Sequence, residues 1–259
     1  MYERRNIGDN EPWLGQMDPF KITDNIYFVG SFQESCHIID TGEGLILIDS
    51  GSIYTFYMVI DNMHRMGLDP RDIKYAFYTH YHSDHTGSAN LLKHLTGCKV
   101  VISKADEQNA FEESGLVADI TVSDGDTLQL GNTVLRFIYT PGHTVGVMSF
   151  VFRTTVDGVP YTAGMFGGAG PNSLKKWHRS YYPDCLKDYI NSCDRLLKEK
   201  VEVFIGNHCW NNNTFEKAKI LKETGENQFI DPDEWVKFLK FCKTRAKGID
   251  QDEEKPDNA

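Results

Sequence analysis

The sequence predicts an α/β protein made of two halves, with their β-sheets packed together and helices outside. Short runs rich in Ile and Val, each series followed by helical spacing, occur twice along the chain. The 259 residues, 40% of them hydrophobic and 25% charged, are enough for one large shared core. The expected division is an N-terminal arm over 1–20, a single domain over 21–246, and a charged, disordered tail over 247–259.

In the first half, "NIYFVG", "CHIIDT" and "GLILIDSG" are separated by the turn formers "GSFQES" and "TGEG", which predicts a β-meander. After Gly51, the residues Tyr54, Met58, Met63 and Met66 follow helical spacing up to Gly67, with Pro70 beyond. A strand over 74–79 leads to a histidine cluster and then to a helix from about Ser88 to Leu95. "CKVVIS" predicts another strand, and "KADEQNAFEES" a short polar helix closed by Gly115.

In the second half, "DTLQLGNTVLRFIYTPGHT" predicts a hairpin followed by a loop, and "VMSFVF" and "GVPYTAG" are strands. Residues 167–182 form a long Gly-rich loop. A helix near 184–198 precedes the strand "VEVFIG" and the loop "NHCWNN", and helices near 214–223 and 232–246 close the domain.

The formal net charge of −10 argues against a nucleic-acid backbone as the main partner, because a phosphate footprint needs clustered Lys and Arg. The expected partner is a small-molecule substrate; the sequence assigns no oligomeric state. The N-terminus has no apolar core of a secretory signal, and no apolar run is long enough for a membrane span. Cys36, Cys98, Cys185, Cys193, Cys209 and Cys242 are scattered without a CxxC pair. They read as reduced thiols, so the expected location is cytoplasmic.

The stretch "THYHSDHTG", residues 79–87, holds three of the nine histidines and an aspartate within six positions. On an extended strand end, His80, His82 and Asp84 alternate onto one side, and His85 adds a donor after the turn. Imidazole and carboxylate are the donors of catalytic zinc, which needs about three protein ligands and an open position. Four donors in six residues exceed one such site and point to two metals. His143 in "TPGHT" and His208 in "IGNHCW" both follow apolar strands and can aim at the same edge. His37, His64, His94 and His178 sit singly and read as ordinary core or surface residues.

"THYHSDHTG" resembles the HxHxDH signature of the metallo-β-lactamase superfamily, with "GLILIDSG" before it and "TPGHT" and "NHCW" after it. "DPFKITDNIYFVG" and "NQFIDPDEWVKFLK" resemble the third subclass of class B metallo-β-lactamases. The resemblance implies a four-layer αββα sandwich with the metal site at the sheet edges. Carried over, one Zn2+ would take His80, His82 and His143, and a second Asp84, His85 and His208; iron or manganese is less favoured. Two zincs about 3.5–4 Å apart would lower the pKa of a bridging water and turn it into hydroxide for attack on an amide or ester carbonyl. Asp84 is then both a ligand and the catalytic residue that handles the nucleophile's proton.

Two departures bear on the substrate. Many relatives carry a bridging aspartate where this chain has Met165, and a thioether is a poor ligand beside oxygen donors. Third-subclass lactamases share that lack but have serines nearby, where this chain reads Thr162-Ala-Gly-Met-Phe166. The expected activity is therefore lactamase-like hydrolysis of a β-lactam or related cyclic substrate, with a lactonase, thioesterase or other hydrolase as the alternative. A non-catalytic metal-binding protein of the same fold is the alternative of another class. Asp49 is the candidate partner for a ligand imidazole, and Cys209 reads as a structural thiol. Trp13, Tyr54, Phe56, Phe166 and Trp177 are candidate pocket walls, together with Met165. Lys175, Lys176 and Arg179 read as solvated loop charges.

Overall fold

The computed structural model describes residues 11–176 and 178–253. Strands β1 (Phe20–Lys21), β2 (Ile26–Phe28), β3 (His37–Asp40), β4 (Leu45–Ile48), β5 (Ile73–Phe77), β6 (Lys99–Ser103) and β7 (Ile120–Val122) form one sheet in that spatial order. The first four run antiparallel, β2 to β4 as the expected meander, and β4 to β7 run parallel. The second sheet orders β12 (Val203–Phe204), β11 (Val159–Met165), β10 (Met148–Val156), β9 (Thr133–Tyr139) and β8 (Thr127–Leu130). Only the β11–β12 pair in it is parallel among the described residues.

The side-chain alternation of β4 shows why the layers stack as they do. Leu45 and Leu47 face one cluster and Ile46 and Ile48 another, and all four are buried, so the strand reads as a continuous apolar run. Ile46 and Ile48 join Phe77, Phe137, Phe150 and Met165 in a core between the two sheets. Leu45 and Leu47 pack beneath α1 (Phe56–Arg65), α3 (Ala89–Thr96) and α4 (Glu107–Ser114). On the far side, Val151 and Phe204 pack against α5 (Cys185–Leu196) and α7 (Glu234–Glu253). Three clusters between four layers make the αββα sandwich that the sequence implies.

Shorter elements were not legible. β1 and β7 are too short for a period to show, and "VEVFIG" contributes just Val203–Phe204 to the second sheet. The motif itself contains a one-turn helix, α2 (Ser83–Thr86), and α6 spans Thr214–Thr224. Helix α7 continues to Glu253, so residues 247–253 are helical where a disordered tail was expected; Gln251 and Glu253 are good helix formers. Residues 1–10 of the arm, residues 254–259 of the tail and the candidate pocket residue Trp177 lie outside the described residues. No helix among the described residues is long and apolar enough to cross a membrane.

His37 on β3 is buried, with its ring edge-on to Phe28 and its Nδ1 without a partner. Burial pulls its pKa from 6.5 down to about 4. Between those values the unfolded chain binds a proton that the folded chain refuses, so this residue makes stability fall as pH drops through the window. The integrated loss is roughly 3 kcal/mol. His37→Leu should flatten the stability profile between about pH 7 and pH 4.5 by about 2–3 kcal/mol, read by urea denaturation at each pH.

Candidate metal centre

The parallel strands β4 and β5 end side by side, so the residues following them share one sheet edge. Asp49 follows β4 and Thr79–His85 follow β5. Asp49 adopts a left-handed backbone, φ 53°, which costs a non-glycine residue on the order of 1 kcal/mol. Three hydrogen bonds hold it there. Its Oδ1 accepts from Thr79 N at 2.8 Å, and its Oδ2 accepts from Thr79 Oγ1 at 2.9 Å and from His85 Nδ1 at 2.8 Å.

That network fixes the ring tautomers. Because the Thr79 hydroxyl donates to Asp49, its lone pair accepts from His80 Nδ1, 3.1 Å away. His85 donates its Nδ1 proton to Asp49, His143 to the Gly170 carbonyl at 2.8 Å, and His208 to the Gln33 carbonyl at 2.6 Å. Four imidazoles thus turn Nε2 away from these acceptors: in His80, His143 and His208 it carries a bare lone pair, and in His85 it offers one once a cation displaces the ring's second proton. His80 Nε2 and His85 Nε2 are buried with no hydrogen-bond partner, which is how a cation ligand stands before its cation. His82 differs by offering Nδ1, 3.0 Å from His143 Nε2.

Two donor groups result. His80, His82 and His143 each present a ligand atom within 4.8 Å of the others, and so do His80, Asp84 and His85. His208 adjoins the second group, with its Nε2 3.7 Å from Asp84 Oδ2; His85 Nε2 lies 3.5 Å from the same oxygen. All six ligand candidates therefore meet at one edge. The donor chemistry fits a divalent cation of zinc type.

The electrostatics agree with lone-pair donors at four of the five rings. Burial holds His80, His143 and His208 below the ordinary imidazole pKa and brings His82 to about 4, so these rings are neutral at pH 7. Burial also opposes charge on His85, but Asp84 and Asp49 outweigh it and lift its pKa to about 9 in the absence of metal. Burial would raise the Asp84 carboxyl, yet His85, His208 and His82 hold it at about 2, so it is ionised.

The second half supplies its ligands from rigid supports. Gly142, at φ 141°, precedes His143, and a Cβ there would lie 2.6 Å from the Tyr189 backbone nitrogen, so the loop can rest on α5 only with glycine. Ser192 Oγ donates to the Pro141 carbonyl at 2.8 Å from the same helix. Trp210 stacks on the His208 ring, with centroids 4.4 Å apart and planes 8° apart. Asp106 ties the two ligand loops together, accepting from Tyr81 N at 3.2 Å and Thr144 Oγ1 at 2.6 Å. Burial raises the Asp106 carboxyl to about 6. Nothing in residue type singles out Asp106, which sits in a polar helix-start segment like many others.

A cleft of about 1430 Å³ opens on His82, Asp84, His143 and His208, and its aromatic lining includes Phe32, Trp210, Phe215, Phe238 and Phe241. The pocket walls expected from sequence lie elsewhere. Phe56, the first residue of α1, packs into the core between that helix and the first sheet, Met165 lies in the inter-sheet core, and Phe166 packs against Tyr189 on the other face of the second sheet. All three are element-end residues whose side chains alternate into a core. Trp13 and Tyr54 are exposed and do not line this cleft. Cys209 points inward, with its Sγ 3.4 Å from the Ser31 carbonyl and 3.6 Å from Met17 Sδ.

The profile of the metallo-beta-lactamase superfamily matches residues 29–208, from the end of β2 to the last candidate ligand. The chain belongs to this superfamily. The metallo-β-lactamase fold is also seen in BJP-1, a subclass B3 metallo-β-lactamase of Bradyrhizobium japonicum, which superposes with a TM-score of 0.87 at 25% identity, over 95% of this chain and 98% of that one. The mitochondrial persulfide dioxygenase ETHE1 of Homo sapiens is 42% identical over 80 residues, 30% of this chain and 28% of that protein. A hydroxyacylglutathione hydrolase of Bradyrhizobium is 38% identical over 74 residues, 29% of this chain and 27% of that protein. The chain spans less than half the length of the curated relatives it matches, from 28% to 45% for the persulfide dioxygenases.

If Asp49 sets the His85 ring, Asp49→Asn should weaken binding of one metal ion about 10–100-fold, because the amide places an N–H against one of two donors. Zinc titration in competition with a chromophoric chelator reads this directly; unchanged affinity would remove Asp49 from the centre.

Proposed function

We propose that this superfamily member is a metal-dependent hydrolase that opens an amide or ester carbonyl, lactamase-like in its centre. In this reading His80, His82 and His143 hold one zinc ion, and Asp84, His85 and His208 hold another. The observation that carries it is the convergence of two donor groups at one sheet edge, with the buried Nε2 atoms of His80 and His85 left without a hydrogen bond. A structural zinc is closed by about four ligands, so six donors beside an open cleft favour a reacting centre over a structural one.

The ions would supply Lewis acidity, polarising a carbonyl oxygen and acidifying water. The chain's own residues supply the rest. Asp84, ionised and 43% exposed at its side chain, offers an oxygen to orient a water and hold its proton. The neutral rings of His80, His82, His143 and His208 keep their lone pairs available at pH 7. The Asp49–Thr79 pair keeps His80 and His85 from turning.

The substrate proposed is a β-lactam or a related cyclic amide or ester, supported by the subclass B3 likeness over nearly the whole chain. A thioester is the second reading, favoured by the match to hydroxyacylglutathione hydrolases. Elemental analysis of the purified protein should give about two zinc ions per chain, falling toward one in His208→Ala. Turnover of a chromogenic cephalosporin, an aryl lactone or an acyl thioester should vanish with chelator, return with zinc, and drop a hundredfold or more (order of magnitude) in the variant. One zinc or none in the wild type rejects the two-metal centre; dominant iron points to oxidative chemistry on sulfur compounds instead.

A further inference from the structure

The cleft does not stop at the histidines. It is also lined by α7, through Phe238, Phe241, Cys242, Arg245 and Ile249. Those positions are spaced i, i+3, i+4, i+7 and i+11, one continuous face of the helix. Trp235, Leu239 and Ala246 turn instead into the core shared with α5, and Trp235 Nε1 donates to the Leu196 carbonyl. Phe238, Cys242 and Ile249 also pack against that core while they border the cleft, and Phe241 stands out from it, 59% exposed.

Arg245 sits in the middle of the cleft face, and it is unusual in this chain. Among the described residues, Arg65, Arg71, Arg136 and Arg195 pair with carboxylates, Arg153 donates to Thr162, and Arg179 donates to the Leu174 carbonyl. Arg245 alone among them has no such partner. Glu113 and Glu216 also line the cleft, but neither pairs with it. Arg245 itself is exposed at the rim of the cleft. Lys175, on the loop after β11, lines the same cleft and has no ion-pair partner among the described residues. An acidic chain whose other described arginines are paired or hydrogen-bonded thus leaves two exposed cations, Arg245 and Lys175, on a cleft that aromatic rings also line.

We propose that Arg245, assisted by Lys175, binds an anionic group of an elongated substrate whose apolar middle rests on Phe238 and Phe241 and whose reacting carbonyl lies at the histidine centre. The substrate class is an acyl ester or amide carrying a carboxylate at its far end. The position of the carbonyl rests on the hydrolase reading above; the anion site stands on the α7 face alone.

The test uses the zinc-loaded full chain, as wild type, Arg245→Gln, Arg245→Lys and Lys175→Gln. Two substrates of equal chain length are compared, the 4-nitrophenyl half-ester of octanedioic acid and 4-nitrophenyl octanoate. Binding of octanedioate is measured separately by calorimetry. The wild type should prefer the half-ester. Arg245→Gln should lower the half-ester to octanoate ratio of kcat/KM by about 10–100-fold, chiefly through KM, as expected for losing a charged hydrogen bond. Arg245→Lys should recover part of the ratio and Lys175→Gln lose less of it, and added salt should weaken the preference. Equal use of both esters by wild type and Arg245→Gln overturns the anion site and leaves the hydrolase standing. Turnover of neither ester, with octanedioate binding weakened in Arg245→Gln, rejects the linear acyl-ester substrate and keeps the anion site. Turnover of neither, with binding absent or unchanged in the variant, overturns both.

Discussion

Everything at the centre depends on where the imidazole protons go. A histidine can serve a cation only through a nitrogen that carries no hydrogen, and a free ring exchanges tautomers and turns about its bonds. In this chain the Nδ1 protons of His85, His143 and His208 are each given to an acceptor outside the cluster: Asp49, the Gly170 carbonyl and the Gln33 carbonyl. His80 is held one step further back, through the Thr79 hydroxyl to the same Asp49. A single buried carboxylate thus orders two rings, and its strained backbone is held by the hydrogen bonds it accepts.

The sandwich makes that ordering reachable. Parallel β4 and β5 bring Asp49 and the histidine segment together, because both strands point the same way and end at the same edge. The second sheet brings His143 and His208 to that edge from the opposite layer, and the inter-sheet core of Phe77, Phe137 and Phe150 sets the spacing between them. Asp106 then joins the two loops by a contact that neither sheet makes.

Much of this was legible in the sequence, for a physical reason. His80, His82, Asp84, His85, His143 and His208 all follow apolar strands, and a polar donor at a strand end has little to do in a core. The αββα layering also shows, since "LILI" can be buried throughout only if both faces of its sheet are covered. The cleft was not legible. Aromatic residues near element ends, such as Phe56 and Phe166, look the same whether they face a core or a pocket, and the period that decides is shorter than the element. Phe238, Phe241 and Arg245 lie on a helix whose core-facing and cleft-facing residues blur into one polar-to-apolar pattern. Tautomer-setting groups such as the Gln33 and Gly170 carbonyls leave no trace in residue type at all.

Because the candidate ligands are divided between two sheets, coordination of a cation by all of them would be coupled to tertiary assembly. Neither half carries the full donor set: His80 to His85 belong to the first, His143 and His208 to the second. A chain whose sheets have not docked has only a fragment of the chelate to offer, and a cation captured by the whole set acts as a clasp across the sandwich. Loading with metal would then serve as a quality check on folding, admitting to activity only those molecules in which both layers have closed.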